Sequence, residues 1–404
     1  MSAYWFPRLQ IAVNKLALKV LRFPVPETIR GVDSSLTLCD EMAAAGLQRV
    51  MLVTDAPLLR TGIPERLAAR LQERGVAVEI FSDVEPDPDY ALVMRGVERL
   101  NAFKAQAVLA VGGGSPIDCA KSMLMCQATR KHPSKLTGVW LYHLPRPHGL
   151  PLYAIPTTSG TGSEATVAAI VSDRAEQTKY SIIDPKLLPV RVALDPALTV
   201  GLPPAVTAAT GMDALTHAVE AYIGTMGTRQ TNAWALRATE LIGANLRKAY
   251  EQGTDIEARA NMQEAALQAG LAFTRATVGY VHAIAHQLGG LYHVPHGLAN
   301  AIVMPYVLDF CKSACTDRLA DLARAAGVAA DGASDTENAD RMIAWIREMN
   351  AAMGIPSTVS ALREADFDRI IAHALTEAHG TYAIPRYMEK EDARGILKQL
   401  LATN

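Results

Sequence analysis

Between residues 49 and 126, short apolar runs alternate with segments of helical period, and the third run ends directly in glycines. Residues 49–54 form a β-rich run, and a helical pattern follows over 64–74. Residues 76–81 predict a second strand and 90–104 the next helix. The third strand, 107–111, runs straight into Gly112, Gly113, Gly114 and Ser115. Nearly continuous apolar strands joined by helix-length crossovers predict a parallel sheet with helices on both faces. Further strands are expected at 152–156, 168–172 and 190–194.

From Pro203 the texture changes. Pro203 and Pro204 suit the first turn of a helix, and segments rich in Ala, Leu, Glu and Arg run at helical period over 206–222, 231–250, 256–274, 281–292 and 317–326. Residues 331–340 read as a polar loop between two helices. With 404 residues the chain is long enough for two domains. The expected division is an α/β N-terminal domain over 1–202, a parallel sheet flanked by helices, and an all-α C-terminal domain over 203–404.

Two turns in the first half carry chemistry. Gly112 to Ser115, followed by Pro116, precede a helical stretch. Glycines let a backbone approach a ligand closely, and the amides at a helix start suit a pyrophosphate. The spacing is neither G-x-x-x-x-G-K nor G-x-G-x-x-G, and a tight strand-to-helix turn explains it equally well. The second turn shifts that balance. Residues 157–164 pack Thr157, Thr158, Ser159, Thr161 and Ser163 with Gly160 and Gly162 after another strand, which suits phosphate or ribose oxygens. Asp55, just past the first strand, can accept from a ribose 2′-hydroxyl and repel a 2′-phosphate. All three features lie at strand C-termini, where open α/β sheets bind nucleotides.

The second half carries the sharper signal. Asp213 and His217 stand at i and i+4, as do His282 and His286, with His293 and His296 close behind. Five of the ten histidines fall between 217 and 296. Each buried imidazole would need its own hydrogen-bond partner, whereas one divalent cation satisfies four groups together. Imidazoles and a carboxylate suit Fe(II), Zn, Mn, Co or Ni, and the absence of thiolates disfavours Cu(I) and iron–sulfur clusters. No H-E-x-x-H occurs, which weakens a metalloprotease reading.

Composition removes other classes. A formal net charge of −2 leaves no footprint for nucleic acid or an anionic membrane. No stretch approaches the roughly 20 apolar residues of a membrane span. Five cysteines, an odd number without a C-x-x-C, favour a reduced, cytoplasmic setting. The first 26 residues carry Arg8, Lys15, Lys19 and Arg22 and no acid, as a targeting peptide would. They lack an uninterrupted apolar run, so Trp5, Phe6, Leu9, Ile11, Val13 and Leu16 are expected to dock on the fold.

The segments 112–121 (GGGSPIDCAK), 156–166 (PTTSGTGSEAT), 209–222 (ATGMDALTHAVEAY) and 281–297 (VHAIAHQLGGLYHVPHG) together resemble the iron-containing, group III alcohol dehydrogenases. Their fold is related to glycerol dehydrogenase and dehydroquinate synthase, and the resemblance runs from about residue 30 to the C-terminus. It implies a metal-dependent alcohol dehydrogenase that takes small alcohols and aldehydes or ketones, uses NAD in preference to NADP, and forms a homodimer through the nucleotide half. By matching position the metal ligands would be Asp213, His217, His282 and His296, with Fe(II) the favoured ion. His286 would be the non-ligand histidine near the nicotinamide, carrying protons. Gly113, Gly114, Ser115, Asp118, Thr157, Thr158, Thr161 and Lys179 would contact the cofactor, and Asp55 would set the NAD preference. The chain departs from the pattern at Asp87, where the family often has Asn, and at residues 274–277, where Arg275 reads as a surface charge. A maleylacetate reductase-type activity, a dehydroquinate synthase-like activity and a non-catalytic metal- or nucleotide-binding role are the alternatives.

Overall fold

The computed structural model describes residues 4–5, 9–13, 15, 24–139, 149–176 and 178–402. It divides into two compact units, Pro24–Gly201 and Leu202–Asn404, the latter taking in Met1–Phe23 as well.

The first unit follows the alternating pattern. In chain order it contains β1 (Glu27–Arg30), α1 (Ser34–Ala44), β2 (Arg49–Asp55), the short α2 (Ala56–Leu59), α3 (Ile63–Glu73), β3 (Ala77–Val84), α4 (Tyr90–Phe103), β4 (Ala107–Gly112) and α5 (Gly114–Thr129). There follow β5 (Gly138–Val139), β6 (Leu152–Pro156), β7 (Ala168–Asp173), β8 (Thr178–Ile183) and β9 (Arg191–Leu194). Six strands pair in parallel in the order β1-β9-β6-β4-β2-β3. β4 is buried along its whole length, as a strand covered on both faces must be.

The strand expected at 168–172 forms, as β7, but outside that sheet. It pairs antiparallel with β8, and β5 completes a separate three-stranded sheet. The reason is local. Asp173 Oδ1 accepts from the Ala175 and Glu176 amides, making a short turn that returns the chain beside β7, and a connection so short permits only antiparallel pairing.

The second unit consists of α6 (Pro204–Ile223), α7 (Arg229–Glu251), α8 (Ile256–Ala276), α9 (Tyr280–Tyr292), α10 (His296–Cys311), α11 (Thr316–Ala325), α12 (Asp335–Ala352), α13 (Phe367–Thr381) and α14 (Lys390–Leu400). One apolar core runs through it, from Met212, Leu215 and Val219 of α6 to Leu397 and Leu400 of α14. The polar stretch 331–340 is a loop only in its first part. Ser334 and Glu337 form a reciprocal capping box that starts α12 at Asp335.

The N-terminal segment packs with this helical unit. Ile11 is buried against Met226 and Ala383, and Lys15 Nζ donates to the Thr225 carbonyl. Trp5, Leu9 and Val13 are largely exposed. Phe6 and Leu16 lie outside the described residues. No helix among the described residues is long and apolar enough to cross a membrane, and all five cysteines are free and buried.

Candidate metal centre and nucleotide cradle

In the α/β unit the glycine-rich turn joins β4 to α5. Gly112 adopts φ +148°, and a Cβ there would lie 2.6 Å from Pro116 Cγ, so only glycine fits. A Cβ on Gly114, the first residue of α5, would come within 2.9 Å of Thr161 Cγ2. The two turns therefore touch: Thr158 and Thr161 lie over Gly113 and Gly114, and the Thr157 amide donates to the Gly112 carbonyl at 3.0 Å. Backbone amides at the start of α5 beside threonine hydroxyls form a cradle that a side chain would fill, which fits a dinucleotide pyrophosphate.

The other expected cofactor residues divide by role. Gly113, Gly114, Ser115, Thr158 and Thr161 retain partial exposure at this turn, while Thr157 is buried. Asp118 is engaged within the protein: its Oδ1 accepts from Ser163 Oγ at 2.5 Å and its Oδ2 from the Ile170 amide at 3.2 Å. It shapes the second turn. Asp55 caps α2, its Oδ1 accepting from the Leu58 amide at 2.7 Å. Lys179 is paired with Asp87, Nζ to Oδ1 at 2.5 Å.

Lys121 of the same helix escaped the sequence reading. Fully buried, its ammonium donates to the carbonyls of Ser163, Thr166 and Ala168 and to Thr166 Oγ1, within 2.6–2.9 Å. It ties α5 to the threonine turn.

The helical unit gathers the acid and the histidines. Asp213, His217, His282 and His296 offer ligand atoms that all lie within 4.8 Å of one another. Asp213 and His217 share one face of α6 because i and i+4 are one turn apart. His282 lies in the first turn of α9 and His296 is the first residue of α10. Asp213, His217 and His282 are buried, while His296 remains 33 % exposed and leaves the centre open on that side.

His282 is held from behind. Glu220, one turn beyond His217, is buried and accepts from the amides of Gly279 and Val281 at 2.8 and 2.7 Å. His282 Nδ1 donates to the same carboxylate at 2.6 Å. That bond fixes the tautomer and turns the Nε2 lone pair toward the centre. Burial, and after it the neighbouring His217, His296 and His286, hold the His282 pKa well below the ordinary range. It is therefore neutral, as a ligand must be. Burial pushes the Glu220 carboxyl up to about 7, against the pull of its three N–H donors. His217 stacks on Phe273, ring centroids 4.2 Å apart.

Three imidazoles and one carboxylate, converging on one point, fit a divalent cation of the Fe(II), Zn, Mn, Co or Ni group. Gly297 shows how closely the elements meet. A Cβ there would overlap the Ala209 carbonyl and lie 3.1 Å from Asp213 Cβ. Gly297→Ala is accordingly expected to push the start of α10 off α6 and carry His296 away from Asp213. Metal content per chain after dialysis against limiting metal should fall, and an unchanged content would refute the packing argument.

His286 stands outside the ligand set. Its ring stacks on His296 at 5.4 Å, and its Nδ1 donates to Glu377 Oε1 at 2.7 Å. Tyr382 donates to the same oxygen at 2.6 Å. Burial works against the Glu377 charge, but His286 and Tyr382 outweigh it and keep the carboxyl below its usual range. Arg275 is no freely solvated charge: half-buried over the Trp234 ring at 5.0 Å, it donates to the Leu271 carbonyl, and burial lowers its pKa to about 10.

Glu220 was within reach of the sequence, since it continues the Asp213–His217 face by a further turn. Asn300, four residues after His296, was too. Glu377 was not, because its helix α13 meets α9 only through folding.

Known proteins give the same account of both halves. Residues 26–196 match the iron-containing alcohol dehydrogenase family, and residues 207–401 match the C-terminal domain of the Fe-containing alcohol dehydrogenase family. The NAD-dependent methanol dehydrogenase of Bacillus methanolicus is 36% identical over 381 residues, covering 94% of this chain and 99% of that protein. The 1,3-propanediol dehydrogenase of Klebsiella pneumoniae is 38% identical over 358 residues, covering 88% and 92%. The crystal structure of a 1,3-propanediol oxidoreductase superposes with a TM-score of 0.89 at 35% identity, covering 94% of this chain and 99% of that one. With both of its halves matched along nearly their whole length, the chain belongs to the iron-containing alcohol dehydrogenase family.

Proposed function

We propose that the protein interconverts alcohols with aldehydes or ketones by hydride transfer to and from NAD, aided by one divalent metal, Fe(II) being favoured. The convergence of Asp213, His217, His282 and His296 carries this reading. When bound there, the metal would polarise the substrate oxygen and stabilise negative charge on it. The ligand side chains supply a pre-oriented donor set of three imidazoles and a carboxylate, and the exposed side of His296 leaves room for a small substrate. His286, its Nδ1 committed to Glu377, presents Nε2 as the atom that accepts the alcohol proton in oxidation and returns it in reduction. The Gly113–Gly114 turn with Thr157, Thr158 and Thr161 receives the pyrophosphate, while Asp118 and Lys121 hold that turn from inside. Lys179, anchored by Asp87, stands ready for a ribose.

Metal analysis of anaerobically purified protein, followed by an alcohol and aldehyde panel with both cofactors, tests the whole reading. A protein that binds one metal per chain yet reduces no nicotinamide with any alcohol would refute it. Comparing NADH oxidation with maleylacetate and with simple aldehydes separates the reductase alternative. A dehydroquinate synthase-like activity is disfavoured because several basic residues of the helical unit already pair with groups of that unit. Arg259 donates to Thr207 Oγ1 and the Gly253 carbonyl, and Arg237, Arg247 and Lys248 pair with Glu240, Glu251 and Asp255.

NAD preference rests on the Asp55 carboxylate at the end of β2. Asp55→Ala is expected to raise kcat/KM for NADP relative to NAD by about tenfold, the value of removing roughly 1.4 kcal/mol of repulsion. A wild type with the lower KM for NADP would overturn the assignment. Five free, buried thiols support a cytoplasmic setting. A homodimer formed through the α/β unit completes the proposal, and sedimentation equilibrium reads it directly.

A further inference from the structure

Asn300 lies on α10 one turn beyond His296 and is fully buried. Its Nδ2 donates to Asp213 Oδ1 at 2.8 Å and lies 3.2 Å from Nε2 of both His282 and His296. One amide nitrogen therefore faces three of the four donor atoms of the metal centre. The surroundings fix which end of the amide points inward. A carbonyl oxygen there would meet a carboxylate and two imidazole lone pairs, with nothing donating to it.

The other end is sacrificed. Asn300 Oδ1 is buried and accepts no hydrogen bond among the described residues, although native proteins rarely leave such an atom unsatisfied. An asparagine kept at this cost is kept for what its nitrogen does. Glu220 already takes the proton on His282 Nδ1, so His282 Nε2 is an acceptor. The two protons of Nδ2 face three acceptors, and the shortest of these contacts, 2.8 Å to Asp213 Oδ1, is the one the amide can keep while the Nε2 lone pairs turn to a cation.

Resting on the metal-centre reading above, we infer that Asn300 is a positioning residue of that centre. Its amide fixes the direction of the Asp213 carboxylate and packs against the Nε2 side of His282 and His296. It does from the α10 side what Glu220 does from α6. The pair brackets the donor set: an acceptor behind His282 Nδ1 and a donor in front of Asp213, each orienting ligands from a different helix.

The test is Co(II) titration of chelator-stripped protein in competition with a chromogenic chelator, together with the visible d–d spectrum. Wild type is expected to bind one Co(II) per chain. Asn300→Ala and the volume-conserving Asn300→Leu are expected to bind about 10–100-fold more weakly, with altered d–d bands. A structural role alone would not move those bands. Circular dichroism before loading identifies a variant that fails to fold, and Asn300→Asp, which keeps the shape but removes both N–H donors, is then read in its place. Wild-type binding with unaltered affinity and spectrum in the Asn300 variants overturns this inference alone. A wild type that binds no Co(II) overturns the metal-centre reading and this inference with it.

Discussion

Replacing His282 by alanine is expected to empty the metal centre and lower turnover by about three orders of magnitude or more. The argument has two parts. His282 is one of four converging candidate ligands, with Nδ1 bonded to a buried carboxylate and its ring enclosed. Losing it leaves three ligands and strands Glu220, whose carboxylate then keeps only two backbone amides. A metal acting on the substrate oxygen supplies several kcal/mol, and ~4 kcal/mol corresponds to roughly a thousandfold in rate. Elemental analysis and steady-state kinetics on the same preparation check it. Full metal content with full turnover would sink both the ligand assignment and the proposed function.

Glu220→Ala is the second large effect, and it should reach stability as well as metal binding. Glu220 receives three donors: the Gly279 and Val281 amides and His282 Nδ1. Each buried donor left unpaired costs about 1–3 kcal/mol, so a loss of about 3–5 kcal/mol is expected from chemical denaturation. Metal affinity should fall by about 10–100-fold in addition, since the histidine is freed to rotate and to change tautomer. Glu220→Gln separates the two effects. It preserves volume and one acceptor oxygen, but turns an NH2 group toward donors. It should recover part of the stability and little of the affinity. Wild-type affinity in Glu220→Gln would mean that the carboxylate only packs the turn between α8 and α9.

That turn has a further peculiarity. Thr277, between α8 and α9, adopts φ +68°, a left-handed conformation unusual for a β-branched residue. Its hydroxyl accepts from the Ala383 amide and its backbone leads directly into Gly279 and the Glu220 contacts. Strain of this kind persists where surrounding bonds over-determine the backbone. Here those bonds include the ones that hold His282.

Much of this was legible before folding, for reasons of periodicity. A strand buried on both faces must be apolar throughout, which is why 107–111 stood out. A ligand pair on one helix must stand at i and i+4, which is why Asp213 with His217 stood out. What failed were the segments without such contrast. Helix α10 is apolar on nearly every side and contains Pro305, so no stripe marked it as a helix. The hairpin of β7 with β8 turned on an Asp173 side chain rather than on a strand pattern.

The sequence by itself determined the parallel α/β half, the helical half, the two glycine- and threonine-rich turns and the residue types of a cation site. Those features are written in short-range patterns, and short-range patterns survive without tertiary contacts. Which histidines join Asp213 and which one stands aside is a different kind of fact. His282 and His286 share the same i, i+4 spacing, yet Glu220 turns the first into the ligand set and Glu377 holds the second beside it. Likewise Asp118 looks like a ligand contact in the motif, and only folding shows it, with Lys121 beside it, spent on the threonine turn. Only the tertiary structure decided these roles, because a buried polar side chain acts according to its partner, and those partners lie 42 to 91 residues away in sequence.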